Sequence, residues 1–300
     1  LTGTSAVINS VINGENGITN FGDNQHNASI EVQQAISQAI NIQNGAWVVA
    51  NADIGLTGKA FNIEENAALD IAADNIKADI VNKSLELIIN DGIDHTSGII
   101  STKITGDGAT TLAGKDFFIA ENGLIDQDLH LSGTLTTNAD KLGDGHQIFG
   151  SYGDFPAIVN LTGGILKGSI IGPKTTITDG SSVGIANDYY IGNLVLGNNS
   201  TLNQKNNSTG VLNIGILGLT SNNNLMLDAD LAGEKMDQLS VMEISGSNTL
   251  KISDIQLLSD ATKDEVTQSS INTHNKNTNY TSITYKQFQA NILGAILGGE

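Results

Sequence analysis

From Ala46 onward the chain is written in short apolar runs that alternate with polar residues, and no helical stretch between them is long enough to carry a crossover. Ala46-Trp47-Val48-Val49-Ala50 opens the pattern, and Phe61, Ile63, Leu69, Ile71, Ile76, Ile80, Leu85, Leu87 and Ile89 continue it. Asn66, Asp74, Asn75, Asn82, Asn90 and Asp91 fall between the runs. Asn and Asp tolerate left-handed backbone and form side-chain turns, so the reading is strand, turn, strand. Without crossover helices this favours an all-β fold over a βαβ sheet, as a parallel β-helix (β-solenoid) with short helical caps. An antiparallel sandwich stays open, because strands joined by tight turns also make hairpins.

The core must be built accordingly. Aromatic residues are 4% of the chain, so Ile, Leu, Val and Ala have to fill the interior. Stacked coils suit that supply, since each coil needs a few inward aliphatic residues. The hydrophobic fraction of 39% is too high and too regularly placed for a disordered chain. Three hundred residues are enough for one domain or two.

A faint repeat supports coils. Gly58-Lys59-Ala60-Phe61-Asn62-Ile63 is similar to Gly114-Lys115-Asp116-Phe117-Phe118-Ile119, and Gly172-Pro173-Lys174-Thr175-Thr176-Ile177 is a weaker third copy. Gly58, Gly114 and Gly172 are spaced almost evenly. That interval holds about three coils of roughly twenty residues each. Residues 46–258 are therefore expected to be the β-helix, and roughly 250 residues at about twenty per coil would make about 12 coils, on the order of 60 Å long.

The flanks read differently. Residues 1–45 are assigned to an N-terminal cap and first coils. Within them Ile30, Ala35, Ile36, Ala39 and Ile40 lie near helical spacing, with Ser29 as N-cap. This predicts a short capping helix over 28–42, with a strand pair as the competing reading. The Gly-rich stretch Asp140 to Pro156 is expected to project as a loop. Residues 259–300 form a tail in which Tyr285, Phe288, Ile292, Leu293, Ile296 and Leu297 mark an apolar helical face. That segment is expected to cap the last coil.

The stretch Asn224 to Leu258 is the most patterned. Leu225, Leu227, Ala229 and Leu231 alternate with Met226, Asp228 and Asp230, which predicts a half-buried strand with an acidic outer face. Ala232-Gly233-Glu234-Lys235 breaks it, Leu239 and Val241 begin a second strand, and Leu250 and Ile252 begin a third after Ser245-Gly246-Ser247-Asn248. Through Asp228, Asp230, Gly233, Asp237, Leu239, Val241, Gly246, Leu250 and Ile252, this stretch resembles the end of the passenger region of pertactin-like autotransporters. The likeness covers about a tenth of the chain closely. It implies a right-handed parallel β-helix, the surface-exposed or secreted passenger of a Gram-negative bacterium and a virulence-associated adhesin or stalk, with the 259–300 tail leading toward a membrane translocator. A C-terminal translocator barrel would lie outside this fragment at the outer membrane.

Charge and composition narrow the partners. The formal net charge is −18, and all fourteen basic residues are Lys. Nucleic acid needs a basic footprint, and an anionic membrane surface would be repelled. There is no cysteine, which excludes disulfide and thiolate chemistry. The chain opens at Leu1 without a basic region or an apolar signal segment, so an exported form is expected to be a mature part of a longer precursor.

Chemistry is sought in acidic pairs. Asp126 with Asp128, Asp228 with Asp230, and Asp74 with Asp79 are the candidates. Residues two apart on a strand share a face, so Asp126, Asp128 and His130 align as the best local arrangement for a metal or an acid–base pair. The bland reading of each is a solvated strand face. Asp107 and Asp144 sit in Gly-Asp-Gly and read as turns. No Walker loop, dinucleotide fingerprint or Gly-x-Ser-x-Gly elbow is present. The expectation is no enzyme activity, no cofactor and no metal. Exposed aromatics point to contact residues: Tyr152 and Phe155 in the projecting loop, and Tyr189 and Tyr190, one of which alternation places in the core. The expected partner is a host-cell receptor or glycan, bound by a monomer. A β-helical glycan-active enzyme and a phage tail-spike or fibre segment are the alternatives.

Overall fold

The computed structural model describes residues 5–92, 98–151, 153–230, 233 and 235–258. It is a parallel β-solenoid of about ten turns. Two compact units are distinguished, Leu1–Asn160 with Gly168–Pro173 and Leu161–Lys167 with Lys174 onward.

In the first unit, one sheet stacks Ser5–Ile8, Ala28–Val32, Ala46–Ala50, Ala68–Ala72, Glu86–Asn90, Ala109–Ile119, Asp128–Thr137 and Gln147–Gly150, each hydrogen-bonded to the next. A second sheet stacks Ile12–Phe21, Ile36–Ile42, Phe61–Ile63, Ile80–Asn82, Lys103–Thr105 and Leu124–Ile125. Through most of the unit, consecutive strands go to alternate sheets, so a coil contributes a strand to each wall. All registers between them are parallel. Coil length is the step between stacked positions. Ser29 to Trp47 is a short coil, and Trp47 to Ala68 a slightly longer one.

The alternation builds the interior directly. Ile30, Val48, Leu69 and Leu87 stack in one inward row, and Val32, Ala50, Ile71 and Ile89 in the next. Ile40, Phe61, Ile80, Ile104 and Ile125 face them from the second sheet, all buried. Each buried aliphatic side chain contributes about 1.5–3 kcal/mol. Thr110 interrupts the first row at Leu87. Its hydroxyl donates to Gln127 Oε1 at 2.9 Å, and Asn82 Nδ2 donates to the same oxygen at 3.0 Å. Gln127 Nε2 in turn donates to the Asn82 carbonyl at 2.8 Å, so this buried corner is hydrogen-bonded throughout its amides. Gly106 (φ +108) lets the chain pass there, because a Cβ would lie 2.4 Å from the Asn82 carbonyl oxygen.

The second unit is built alike. Tyr190–Leu196, Val211–Leu219 and Gln238–Ser245 are parallel neighbours, and Ile165–Leu166, Ser182–Ile185, Thr201–Asn203, Asn223–Asp230 and Leu250–Leu257 form the facing sheet. The coil from Val211 to its stacked partner Gln238 is much longer than those near Trp47. Corners carry left-handed residues in register: Gly180 (φ 71), Asn199 (φ 58) and Asn222 (φ 57). Asn222 Nδ2 donates to Asn199 Oδ1 at 2.9 Å.

Several expectations change. The segment over 28–42 is the strand pair, not a helix. The described residues hold two short 3₁₀ turns, Ala73–Asn75 and Ala139–Lys141, and no helical cap. No helix among them is long and apolar enough to cross a membrane. The stretch 140–156 does not project as a whole, because Gln147–Gly150 is a sheet strand paired with Asp128–Thr137. The repeat is only partly structural. Phe61 lies in one sheet and Phe117 in the other, whereas Phe117 and Thr175 both point inward from strands of one sheet. The tail 259–300 lies outside the described residues.

Candidate functional site

The outer face of the first unit is where exposed side chains collect. Ala46–Ala50 buries Ala46, Val48 and Ala50, which turns Trp47 and Val49 outward. Trp47 is 58% exposed. It stacks between Ser29 and Ala68 in the outward row, and Glu86 follows Ala68. The two small neighbours leave the indole uncrowded. They also leave a shallow hollow of about 460 Å³ lined by Asn27, Ser29, Trp47, Ala68, Asn66 and Glu86. A second hollow of about 380 Å³ is lined by Glu65, Asn66, Lys83, Leu85, Glu86 and Asp107. Asn66 and Glu86 line both, so the two adjoin side by side as a trough across successive coils. Leu85 stands 73% exposed in it. Lys83, the cation in its lining, pairs with Glu64 at 3.7 Å.

The floor of this trough is held by corner hydrogen bonds. The Asn44 amide donates to Asn24 Oδ1 at 3.0 Å, and the Asn66 amide to Asn44 Oδ1 at 3.2 Å. Gly45 N–H donates to the Asn66 carbonyl at 2.9 Å. On the opposite sheet Asn62 Nδ2 donates to Asn41 Oδ1 and Asn41 Nδ2 to Asn20 Oδ1, both at 2.9 Å.

The contact residues expected from sequence are not gathered together. Tyr152 lies outside the described residues. Phe155, in the first unit, is half-buried, and its carbonyl accepts from Ser132 Oγ at 3.3 Å. Tyr189 and Tyr190 belong to the second unit, and neither enters the core. Asp188 (φ 68) turns the chain just before them, so Ile191 takes the inward place and Tyr190 is 37% exposed.

The acidic candidates separate as well. Asp126, Asp128 and His130 do face outward, between buried Ile125, Gln127 and Leu129. His130, however, stacks on Phe149 of the next coil, with ring centroids 5.3 Å apart. His146 takes its place: Nε2 lies 3.1 Å from Asp126 Oδ1, and Nδ1 lies 3.7 Å from Asp128 Oδ1. Asp128 Oδ1 also accepts the Gln147 amide at 2.9 Å, which ties it to the backbone. Among the described residues no three His, Cys, Asp or Glu side chains are arranged to hold a metal ion. Asp74 and Asp79 line a third hollow of about 620 Å³ with Lys77 and Lys103, and Asp79 Oδ1 accepts the Lys103 amide at 2.8 Å.

Asp228 and Asp230 do not share a solvated face. Asp228 is fully buried. A short hairpin folds Lys235–Met236 antiparallel onto Ala229 and Asp230, and Asp237 enters beside it. Asp228 Oδ2 accepts the amides of Asn206 and Asn207 at 2.7 and 2.6 Å. Asp237 accepts the Asp228 amide at 2.7 Å and the Gly210 amide at 3.1 Å. Burial pushes the Asp237 carboxyl up to about 6, against the pull of those two amides and with a smaller push from the Asp228 charge. The pair fastens the 205–210 loop to the coil.

Comparison with protein-family models, with curated proteins and with solved structures finds no match. The class is therefore set by the fold alone, a parallel β-solenoid with an exposed trough on one wall.

Proposed function

We propose that the chain is a non-catalytic binding module, a surface-exposed or secreted solenoid passenger of the kind its 224–258 stretch resembles, acting as an adhesin or stalk. The observation that supports this is the trough around Trp47. A large apolar side chain is held outward on rigid stacked strands, with polar residues around it and small ones on either side. Rigid strands present such groups without the ordering cost that a loop would carry. The net charge of −18 keeps the repetitive β surface from pairing edge to edge.

The test is binding of the purified chain to host cells and to immobilised host glycans, with solution mass and reducing ends followed in the same samples. Saturable binding by a monomer, with no release of reducing ends, supports the proposal. Release of reducing ends moves the reading to a glycan-active enzyme, and a three-fold mass to a fibre segment.

A further inference from the structure

We infer that the trough from Trp47 to Leu85 binds an uncharged glycan chain, laid along the stacking direction of the coils. The inference rests on reading the chain as a binding module and names its site and ligand class. Trp47 offers a flat, exposed indole between Ser29 and Ala68, and a pyranose ring presents a matching face of C–H groups. The rim supplies what sugar hydroxyls need: the Glu86 carboxylate as acceptor, and the Asn66 and Asn27 amides as both donor and acceptor. Asn66 and Glu86 border the second hollow too, so a chain leaving Trp47 continues over Leu85 with polar groups at its edge. Neighbouring strands lie about 4.8 Å apart, close to the length of one sugar unit, so successive rungs can meet successive units.

Charge decides between glycan classes. Glu65, Glu86 and Asp107 stand in the trough, and the cation in its lining, Lys83, is paired with Glu64. A uronate or sialic acid would meet like charges without a basic partner. A quaternary ammonium group would want an aromatic cage, whereas a single indole serves here. An anionic lipid surface is disfavoured by the same carboxylates.

Trp47 is the sole tryptophan of the chain, so its own emission reports on the site. The full chain is titrated with maltohexaose, cellohexaose, chitohexaose and lacto-N-tetraose, then with sialyllactose, an oligogalacturonate and choline. An uncharged oligosaccharide is expected to shift the emission to the blue and saturate. Trp47→Ala is expected to weaken retention on the same immobilised glycan about tenfold, and Glu86→Gln by a smaller factor. Trp47 is exposed, so the Ala variant should keep the wild-type circular dichroism. If no uncharged oligosaccharide moves the emission, the inference is overturned. A stronger response to the anionic sugars or to choline overturns the ligand class. Should wild type and Trp47→Ala hold cells or glycans equally, the site is wrong while the binding-module reading stands. Loss of all cell and glycan binding by the wild type removes both.

Discussion

Asp237 is a carboxyl buried beside a second one, Asp228. Its folded pKa of about 6 lies above the ordinary 3.8, so the folded chain holds the proton more tightly than the unfolded one. The associated stability is fully present below about pH 4 and is lost as pH rises toward 6. A shift of that size makes the step of the order of 1–3 kcal/mol. Urea unfolding of wild type and Asp237→Asn across pH 4–7 checks it. The difference between the two should change over that interval, whatever the offset between them. A constant difference would show that Asp237 has an ordinary pKa. Trp47 and Asp228 show why some placements were hidden in the sequence. In Ala46-Trp47-Val48-Val49-Ala50 all five residues are apolar, so alternation cannot tell which parity faces inward. Asp228 alternates as an outward residue, and it is covered by the 205–210 loop, whose amides it accepts, and by Asp237 just after the returning Lys235–Met236.

At the scale of the element, inward rows and outer ladders differ in what they contribute. Leu69 is fully buried between Val48 and Leu87. Leu69→Ala should cost about 2–5 kcal/mol in chemical unfolding. Asn41 joins Asn20 to Asn62, but its neighbours reach water, so Asn41→Ala should cost only about 1 kcal/mol. Gln127 is 2% exposed, and losing its amide leaves the buried Thr110 hydroxyl without its acceptor, while Asn82 keeps the Ser84 and Ala109 carbonyls. Gln127→Ala should therefore destabilise by at least about 2 kcal/mol. An order in which Asn41→Ala exceeds Leu69→Ala would contradict the division between core and surface. The strands were legible because their alternation is local. The helix expected over 28–42 was not realised, because the corner at Gln33-Gln34-Ala35 offsets two strand patterns and places Ile30, Ile36 and Ile40 near a helical spacing. The Gly58 and Gly114 strings likewise record a strand and a turn, but not which wall of the coil receives them.

For the whole molecule, two properties dominate: excess negative charge and one-dimensional stacking. With 32 acidic against 14 basic residues, self-repulsion acts throughout. Raising salt from about 10 to about 200 mM shortens the screening length from about 30 Å to under about 10 Å and should raise the thermal midpoint, read by circular dichroism. A falling midpoint would mean that attractive pairs outweigh the repulsion. Solenoid class was readable at this scale from aromatic scarcity and turn spacing. The count was not, because a uniform coil of about twenty residues was assumed. Real coils differ widely, from the short step between Ser29 and Trp47 to the long one between Val211 and Gln238. That unevenness carries a consequence of its own. Much of the surplus sits at corners, as between Phe21 and Ala28 or between Asn203 and Val211, while bulges at Asn13–Ile18 and Ala113–Asp116 take up some within the walls. Sequence can therefore be added or exchanged at a corner without moving the wall beside it.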